Sequence, residues 1–491
     1  MRKWLAALGL VVVALAVAVG AKTLATPSRQ LAVAAAKPVA VDAAAASARL
    51  GAAVRFKTIA SDRDVDANAA EFLALHAHLQ ASFPKLHAAL TREVIGKYGL
   101  LYTWAGSDAQ AAPIALLAHQ DVVPIAPGTD GDWQVPPFSG VQRDGFVWGR
   151  GAWDDKGNLM AILEAVELRV AAGFRPRQTI YLAFGQDEEQ GGERGAMQIA
   201  RLLKERGVRL RWVIDEGLLI TEGAVPGLAR PAALVGVAEK GFLTVRLTAN
   251  AAPGHSSMPP VDPGSSAIGM LSRALGRLEV GQMPFTLGGV GRQSFDALAP
   301  EMGLVNRVLL SNLWLFAPLV EAELKKSPSA NATFRTTTAL PVVNAGQAEN
   351  VLPGRAIALV NFRLLPGDRS DAVVAHVVRT IADPQIKVER EPAGSEASRI
   401  ASIDGPGYRA IARSLTELHP DVVVAPGLMI GGTDSRHYDG IADDIYRFSP
   451  MRARIEDLSR FHGTNERIST ANYVELIQFY HQLIGNAQPD A

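Results

Sequence analysis

Helix-like and strand-like segments alternate between residues 44 and 217, and this alternation is the strongest constraint that the sequence places on the fold. Short apolar runs typical of buried strands occupy residues 100–104, 114–123, 179–184 and 210–214, and helical patterns occupy 69–81, 157–172 and 196–206. The pattern predicts an α/β domain with a largely parallel sheet. In such sheets, binding and catalytic groups collect at the carboxyl ends of the strands.

Acidic and imidazole side chains follow three of these predicted strands. His119 and Asp121 end the second run, residues 187–189 follow the third, and Asp215 with Glu216 follows the fourth. Because residues i and i+2 of a strand face the same way, His119 could bind a metal while Asp121 orients it. For that pair alone an exposed strand end is the simpler interpretation. Three such clusters at one sheet edge predict a shared pocket.

Composition narrows the chemistry of that pocket. The chain has 49 Lys+Arg against 49 Asp+Glu and no cysteine. Without a basic excess we expect no nucleic-acid partner, and the substrate is predicted to be a small molecule. Without cysteine there is no thiolate nucleophile, disulfide or Cys-type zinc site. A metal must therefore be held by His, Asp and Glu, a ligand set that suits hydrolytic zinc.

The amino terminus predicts export. Arg2 and Lys3 precede a run from Trp4 to Ala21 that has no charge, and residues 32–47 are rich in alanine. The run is close to the roughly 20 residues that span a bilayer. We predict a signal peptide or a single membrane anchor over residues 1–25 and a linker over 26–43. The catalytic part is expected to be periplasmic or extracellular, either free or anchored to the membrane.

The pattern changes after residue 236. An alternation of half-exposed strands and helices over residues 236–392 predicts an inserted α+β domain with an antiparallel sheet. Within it, residues 283–340 form an apolar extra insertion. We interpret this insertion as a core helix pair or a dimer contact, in preference to a wall that faces the substrate. Helix–strand alternation returns near residue 405. The α/β domain is therefore predicted to comprise residues 44–235 and 393–491.

Further motifs carry a family resemblance. The segments around His119, Asp154, Glu188 and Asp215 are joined by two later ones, Gly254–Pro259 and Phe461–Thr464. In this order they resemble the co-catalytic zinc metallopeptidases and amidohydrolases that include acetylornithine deacetylase, succinyl-diaminopimelate desuccinylase and aminoacylase. Within that family the chain looks most similar to the carboxypeptidase S and secreted N-fatty-acyl amino acid hydrolase/synthase group.

The resemblance implies a dinuclear site with two zinc ions, for which cobalt or manganese could substitute. The implied ligands are His119 and Asp215 on one ion, Glu189 and His462 on the other, and Asp154 bridging both. Asp121 would orient His119, and Glu188 would be the general base. A water between two cations loses its proton more readily, so this division is chemically consistent. The family also has a cis peptide bond after the bridging aspartate, here Asp154–Asp155.

The same resemblance implies substrate contacts from both domains. The inserted α+β domain, ferredoxin-like in this family, would act as a lid and dimerisation domain, and His255 would reach an active site across a homodimer. Positions that match substrate-binding residues of the family are Asn350, Arg363, Thr433 and Arg436. A guanidinium suits a carboxylate, although a structural salt bridge is a serious rival for both arginines.

The predicted activity is hydrolysis of an amide bond next to a free carboxylate, as a carboxypeptidase or dipeptidase acting on short peptides. The alternative within the enzyme class is hydrolysis or synthesis of N-acyl amino acids, including fatty-acyl ones. An inactive carboxylate-binding protein on the same fold is a third reading. It predicts that a ligand or the base has been lost, yet all six residues named for those roles are present.

Overall fold

The computed structural model describes residues 1–262 and 264–488, and these form 14 α-helices and 17 strands. The helices are α1 (Arg2–Ala25), α2 (Ala43–Val54), α3 (Ala69–Ser82), α4 (Pro84–Ala89), α5 (Lys156–Ala171), α6 (Ala196–Glu205), α7 (Ala267–Val280), α8 (Gly289–Leu298), α9 (Leu304–Ser311), α10 (Leu313–Leu324), α11 (Pro328–Thr333), α12 (Ser370–Ile381), α13 (Pro406–Leu418) and α14 (Thr470–Asn486). The strands are β1 (Thr91–Ile95), β2 (Gly99–Trp104), β3 (Ile114–His119), β4 (Gln142–Arg143), β5 (Phe146–Trp148), β6 (Ile180–Gly185), β7 (Leu210–Glu222), β8 (Ala232–Glu239), β9 (Gly241–Asn250), β10 (Gly254–His255), β11 (Thr337–Asn344), β12 (Val351–Leu352), β13 (Arg355–Leu364), β14 (Ile386–Ser395), β15 (Val423–Met429), β16 (Ala442–Arg454) and β17 (Arg467–Ser469).

The central sheet has eight strands in the order β1-β2-β6-β3-β7-β16-β8-β15. The pairs β3–β6, β3–β7, β7–β16 and β8–β15 are parallel, whereas β1 and β2 form an antiparallel edge. The predicted α/β class with a mostly parallel sheet is therefore confirmed. Two predicted strand ends were wrong, because β3 stops at His119 and β7 continues to Glu222.

Both faces of this sheet are covered, which explains why its strands read as continuous apolar runs. Along β3, Ile114 and Leu116 belong to the core under α5 and α14, whereas Ala115 and Leu117 belong to a separate core under α6. Successive side chains of a strand point to opposite faces, so the two cores alternate residue by residue. This burial fixes the register that places His119 at the strand end.

The inserted domain has an antiparallel sheet in the order β11-β13-β9-β14. Helices α7 and α12 contribute to one core with β9 and β13, as expected for a ferredoxin-like α+β unit. The sequence placed the start of this domain at residue 236, but β8 lies in the central sheet and runs to Glu239. The second sheet begins only with β9 at Gly241 and ends with β14 at Ser395. The boundary expected after residue 392 also moves, by a few residues.

The apolar insertion at 283–340 splits into two parts with different surroundings. Helix α8 packs on the edge strand β15 of the central sheet, where Ala297 and Leu298 share a small core with Val423 and Ala425. That contact covers the sheet edge and agrees with the core interpretation of this stretch. Helices α9 and α10 instead leave several large apolar side chains exposed.

Candidate active site

His119 and Asp121 connect the end of β3 to the loop that follows β6. The Nδ1 atom of His119 lies 3.0 Å from the backbone oxygen of Asp121 and 3.3 Å from its Oδ1. The same carboxylate accepts the backbone N–H groups of Glu188 and Glu189, each at 3.1 Å. Asp121 is completely buried, so one carboxylate holds both the imidazole and the loop with the paired glutamates.

Two groups of side chains have the composition of metal sites, and they share Asp154. In the first, Nε2 of His119 lies 3.0 Å from Asp154 Oδ1 and 3.5 Å from Glu216 Oε1. In the second, Nε2 of His462 lies 2.8 Å from Asp154 Oδ2 and 3.2 Å from Glu189 Oε1. Within each group the candidate ligand atoms all lie within 4.8 Å of one another.

Glu216, and not Asp215, completes the first group. Both residues lie on β7, where neighbouring side chains face opposite ways. The Asp215 oxygens accept the backbone N–H groups of Glu216 at 2.9 Å and of Ser435 at 2.8 Å. Asp215 therefore ties β7 to the loop at 433–436. The sequence predicted Asp215 beside His119 and Asp154, but the carboxylate that lies there is that of Glu216. The sequence signal for Glu216 was present, because the two carboxylates are adjacent.

The loop from Gly149 to Asp154 is held by two residues that sequence reasoning missed. One Glu466 oxygen accepts the backbone N–H groups of Gly151, Trp153 and Asp154 at 2.8, 2.9 and 3.1 Å. The other oxygen pairs with Arg150 Nη1 at 2.5 Å. Arg150 Nη2 in turn donates to the carbonyl oxygens of His462 and Gly463.

This buried pair therefore joins the segment that carries Asp154, which both groups share, to the segment that carries His462 of the second group. A carboxylate four residues after His462 has no spacing that would reveal such a role. The peptide bond Asp154–Asp155 is cis, as the family resemblance implies.

The electrostatics of the pocket call for a cation. Burial raises the pKa of Glu216 to about 8, and nearby Asp154 and Asp215 add to the shift while His119 opposes it. Burial also raises the pKa of Glu188 well above its usual range. Hydrogen bonds to Asp154 and Glu189 raise the pKa of His462 to about 10. Buried carboxylates crowded around two imidazoles fit a divalent ion, whose charge would let them ionise together.

One buried acid, Glu239, interacts with two of the predicted substrate-binding residues, Thr433 and Arg363. Thr433 is fully buried and donates to Glu239 Oε2 at 3.4 Å, and Arg447 pairs with the same oxygen at 2.9 Å. Arg363 is half-buried over the Phe242 ring, where burial lowers its pKa and the Glu239 charge opposes the shift.

Arg436 donates to the Gly191 carbonyl oxygen at 2.8 Å, in the loop just after Glu189. Among the described residues, neither Arg363 nor Arg436 has a guanidinium nitrogen within 4.0 Å of a carboxylate oxygen, so the rival interpretation of a structural ion pair gains no support. Both guanidinium groups remain candidates for a substrate carboxylate.

His255 and Asn350 lie together but apart from these groups. Strand β10 pairs with β12, so His255 is opposite Val351, and the Ser256 N–H donates to the Asn350 carbonyl oxygen. Both side chains are exposed, and His255 Nδ1 contacts Ser257 Oγ at 2.7 Å. The described hydrogen bonds of His255 stay within this ribbon. Among the described residues, no hydrogen bond or ion pair joins His255 to the carboxylates of its own chain.

Comparisons with known proteins agree with this geometry. The sequence profile of peptidase family M20/M25/M40 matches residues 115–486. An N-fatty-acyl-amino acid synthase/hydrolase of Danio rerio is 45% identical over 414 residues, covering 83% of this chain and 79% of the relative. A probable carboxypeptidase S-like protein of Dictyostelium discoideum is 40% identical over 444 residues, covering 90% and 84%.

Solved structures share the fold at low identity. An M20 family metallo-carboxypeptidase of Sulfolobus solfataricus superposes with a TM-score of 0.62 at 17% identity, covering 90% of this chain and 99% of that one. Human carnosine dipeptidase 1 gives a TM-score of 0.60, also at 17% identity, covering 92% and 99%. Because the profile match spans most of the chain, the chain belongs to peptidase family M20/M25/M40 and is a metal-dependent hydrolase.

Proposed function

We propose that this enzyme hydrolyses an amide bond next to a free carboxylate, with two zinc ions held by five side chains. The proposed ligands are His119 and Glu216 for one ion, Glu189 and His462 for the other, and Asp154 for both. The observation that carries the proposal is the pair of acid–imidazole groups that share Asp154. Oxygen and nitrogen donors without sulfur suit zinc, and cobalt or manganese as substitutes.

Glu188 is proposed as the general base. Two bound divalent ions would supply a water of lowered pKa and positive charge for the oxygen of the attacked carbonyl. Glu188 would take the proton of that water and return it to the nitrogen of the leaving amine. Its loop is held from one side by Asp121, through the N–H groups of Glu188 and Glu189, and from the other by Arg436, through Gly191. A base must be held within hydrogen-bond reach of its proton, and these contacts supply that restraint.

Arg363 and Arg436 are proposed to bind the free carboxylate of the substrate. Burial lowers the pKa of Arg363, and the Arg436 charge lowers it further. The Arg363 charge in turn adds to the lowering of the Lys240 pKa by burial. Two guanidinium groups close enough to repel form a site for an anion, and a carboxylate would relieve that repulsion. Thr433 is proposed to position this loop through Glu239, because its hydroxyl is already engaged.

Two substrate classes follow from the relatives, and one experiment separates them. The 45% identical relative is named for N-fatty-acyl amino acids, and the 40% identical one for carboxypeptidase S. We propose N-acyl amino acids and short peptides with a free carboxyl end as the two candidates. Purified enzyme loaded with zinc should be assayed on a mixed panel of both by liquid chromatography. Release of no amino acid from any member, with two zinc ions bound, would favour the carboxylate-binding reading and overturn the enzyme proposal.

A homodimer is proposed to complete each site with His255 and Asn350 of the second subunit. The support is the exposed ribbon of β10 and β12, which makes no described contact with the metal groups of its own chain. Co-expression of His255→Ala with Glu188→Gln tests this. If each variant alone is inactive, mixed dimers should restore about a quarter of the wild-type activity, since half of the dimers each carry one intact site. An inactive mixture would refute the shared site.

Helix α1 is proposed to be an export signal that is retained as a membrane anchor. It has 24 residues and a mean hydropathy of 2.5 over its most apolar window, enough by length and composition to cross a bilayer. Arg2 and Lys3 at its start favour a cytoplasmic amino terminus, with the catalytic domain outside. Mass spectrometry of the mature amino terminus distinguishes a cleaved signal from a retained anchor.

A further inference from the structure

Helices α9 and α10 expose an apolar surface that the proposed reaction does not use. Its large exposed side chains are Leu304, Val305, Trp314, Leu315 and Leu319, and residues 308–320 contain no charge. The charged residues of this hairpin flank it, with Arg307 before the stretch and Glu321 after it. Exposed apolar side chains concentrated on one helical hairpin mark a surface for a protein partner or a membrane.

The carboxyl end of α1 packs at the corner between α9 and α10. The buried Asn312 amide donates to Thr23 Oγ1 at 2.9 Å and to the Val19 carbonyl oxygen at 3.3 Å. Arg307 donates to the Thr26 carbonyl oxygen at 3.4 Å. The indole N–H of Trp314 donates to the same Asn312 side chain at 3.1 Å. The apolar surface is therefore continuous with the one helix of the described chain that is long enough to span a membrane.

The length of α1 fixes where a bilayer would begin. At about 1.5 Å per residue, 24 residues extend about 36 Å, slightly more than the roughly 30 Å hydrocarbon core. Residues 1–18 are exposed, so they are free to face lipid, and the segment from Val19 onward contacts the insertion. Asn312 links the Trp314 indole to Val19 and Thr23 of α1. If Lys22 lies near the headgroups, we therefore expect Trp314 close to that depth, where tryptophan is enriched.

We propose that the corner formed by α9 and α10 docks into the outer surface of the phospholipid bilayer beside α1. The proposal rests on the anchoring of α1 and goes beyond it, because it adds a second contact that fixes the orientation of the enzyme on the membrane. The two helices meet at 113°, so they do not form one straight span. Their apolar corner instead matches helices that lie in the interface with one face among the acyl chains.

Tryptophan fluorescence can test the two contacts separately. The chain has seven tryptophans, of which Trp4 and Trp314 are 81% and 53% exposed, while the other five are at most 8% exposed. Full-length Trp4→Phe and Trp4→Phe/Trp314→Phe proteins are reconstituted into phosphatidylcholine vesicles with or without bromine on the acyl chains. Bromine should quench a larger fraction of the emission of Trp4→Phe, because only Trp314 is within reach of the acyl chains. The double variant should lose this difference.

Equal quenching of the two proteins would overturn the docking proposal. The single variant Trp314→Phe reports on α1, because Trp4 is then the exposed indole. Quenching of Trp4 without quenching of Trp314 would leave the anchor in place and refute the second contact. No quenching of either, with protein that does not float with the vesicles, would refute the anchor and docking together. If Trp314 is shielded from aqueous acrylamide without bromine quenching, a second copy covers the surface and the proposal is wrong. Circular dichroism controls for folding of each variant.

Discussion

Replacement of Glu466 by glutamine should weaken zinc binding at both metal groups, although Glu466 belongs to neither group. The Glu466 carboxylate is completely buried, accepts three N–H groups of the Asp154 loop and pairs with Arg150. Burial raises its pKa, and the Arg150 charge and those N–H groups oppose the shift. A glutamine could keep one oxygen for the loop, but its NH₂ group would then face the Arg150 donors. The change leaves the buried guanidinium without a counter-charge.

The cost follows from that arrangement. Removing one partner of a buried ion pair costs about 3–5 kcal/mol, and we expect the lower end because Arg150 keeps two carbonyl acceptors. Loss of a residue that orients metal ligands weakens metal binding roughly 10–100-fold, which is about 1.4–2.7 kcal/mol. The part of the ion-pair cost that does not appear as weaker zinc binding should appear as a lower denaturant midpoint of the metal-free protein.

The assay is zinc competition against a chromophoric chelator, with denaturant unfolding followed in parallel. Glu475→Gln on α14 is the matched control, because Glu475 pairs with Arg452 at 2.8 Å but lies near the surface. Exposed pairs of this kind are worth about 0–1 kcal/mol. In an Arg150→Met background, Glu466→Gln should cost less, and the difference measures the pair. Glu466→Gln with the zinc affinity and midpoint of the control would refute the reasoning.

Further changes probe the site itself. Glu188→Gln should lower kcat about 10²–10⁴-fold while two zinc ions remain bound, as metal analysis of the purified variant checks. Glu216→Gln should weaken zinc binding at one site. Asp215→Asn should leave both ions in place and instead raise KM, because Asp215 holds the loop that carries Arg436. The reverse pattern would identify Asp215 as the ligand. Asp121→Asn should reduce kcat more than zinc content, since it loosens the loop and the imidazole together. Zinc affinity of the metal-free protein should rise by about tenfold or more per pH unit between pH 6 and 8. His462, with a pKa raised to about 10, must lose its proton to bind metal, and Glu216, with a pKa raised to about 8, must also be ionised. A titration showing constant affinity between pH 6 and 8 would contradict this.

The fold could be predicted from the sequence because buried helices and strands leave a periodic pattern of apolar residues. Continuous apolar runs between helical patterns gave the central sheet, and the strand-end rule placed His119, residues 187–189 and the Asp215–Glu216 pair at one edge. The sequence could not predict which residue of that pair lies in the first metal group. Which of the two adjacent strand residues faces His119 and Asp154 depends on the register of β7 against its neighbours and on the position of the loop that contains Ser435. Both depend on tertiary structure, and the loop with Ser435 lies 220 residues after Asp215 in the sequence.

Asp215 and Glu466 are the two carboxylates whose positioning roles the sequence did not predict, and both were missed for the same physical reason. Each is a buried carboxylate with at least one oxygen that accepts backbone N–H groups from a distant segment, Asp215 from Ser435 and Glu466 from the Asp154 loop. These bonds leave no sequence pattern, because their donors are backbone groups that every residue type except proline possesses. Each of these bonds joins the first part of the catalytic domain to the part after the insertion. The metal groups therefore depend on closure of the domain around the insertion, and a variant that blocks this closure should lose both ions together.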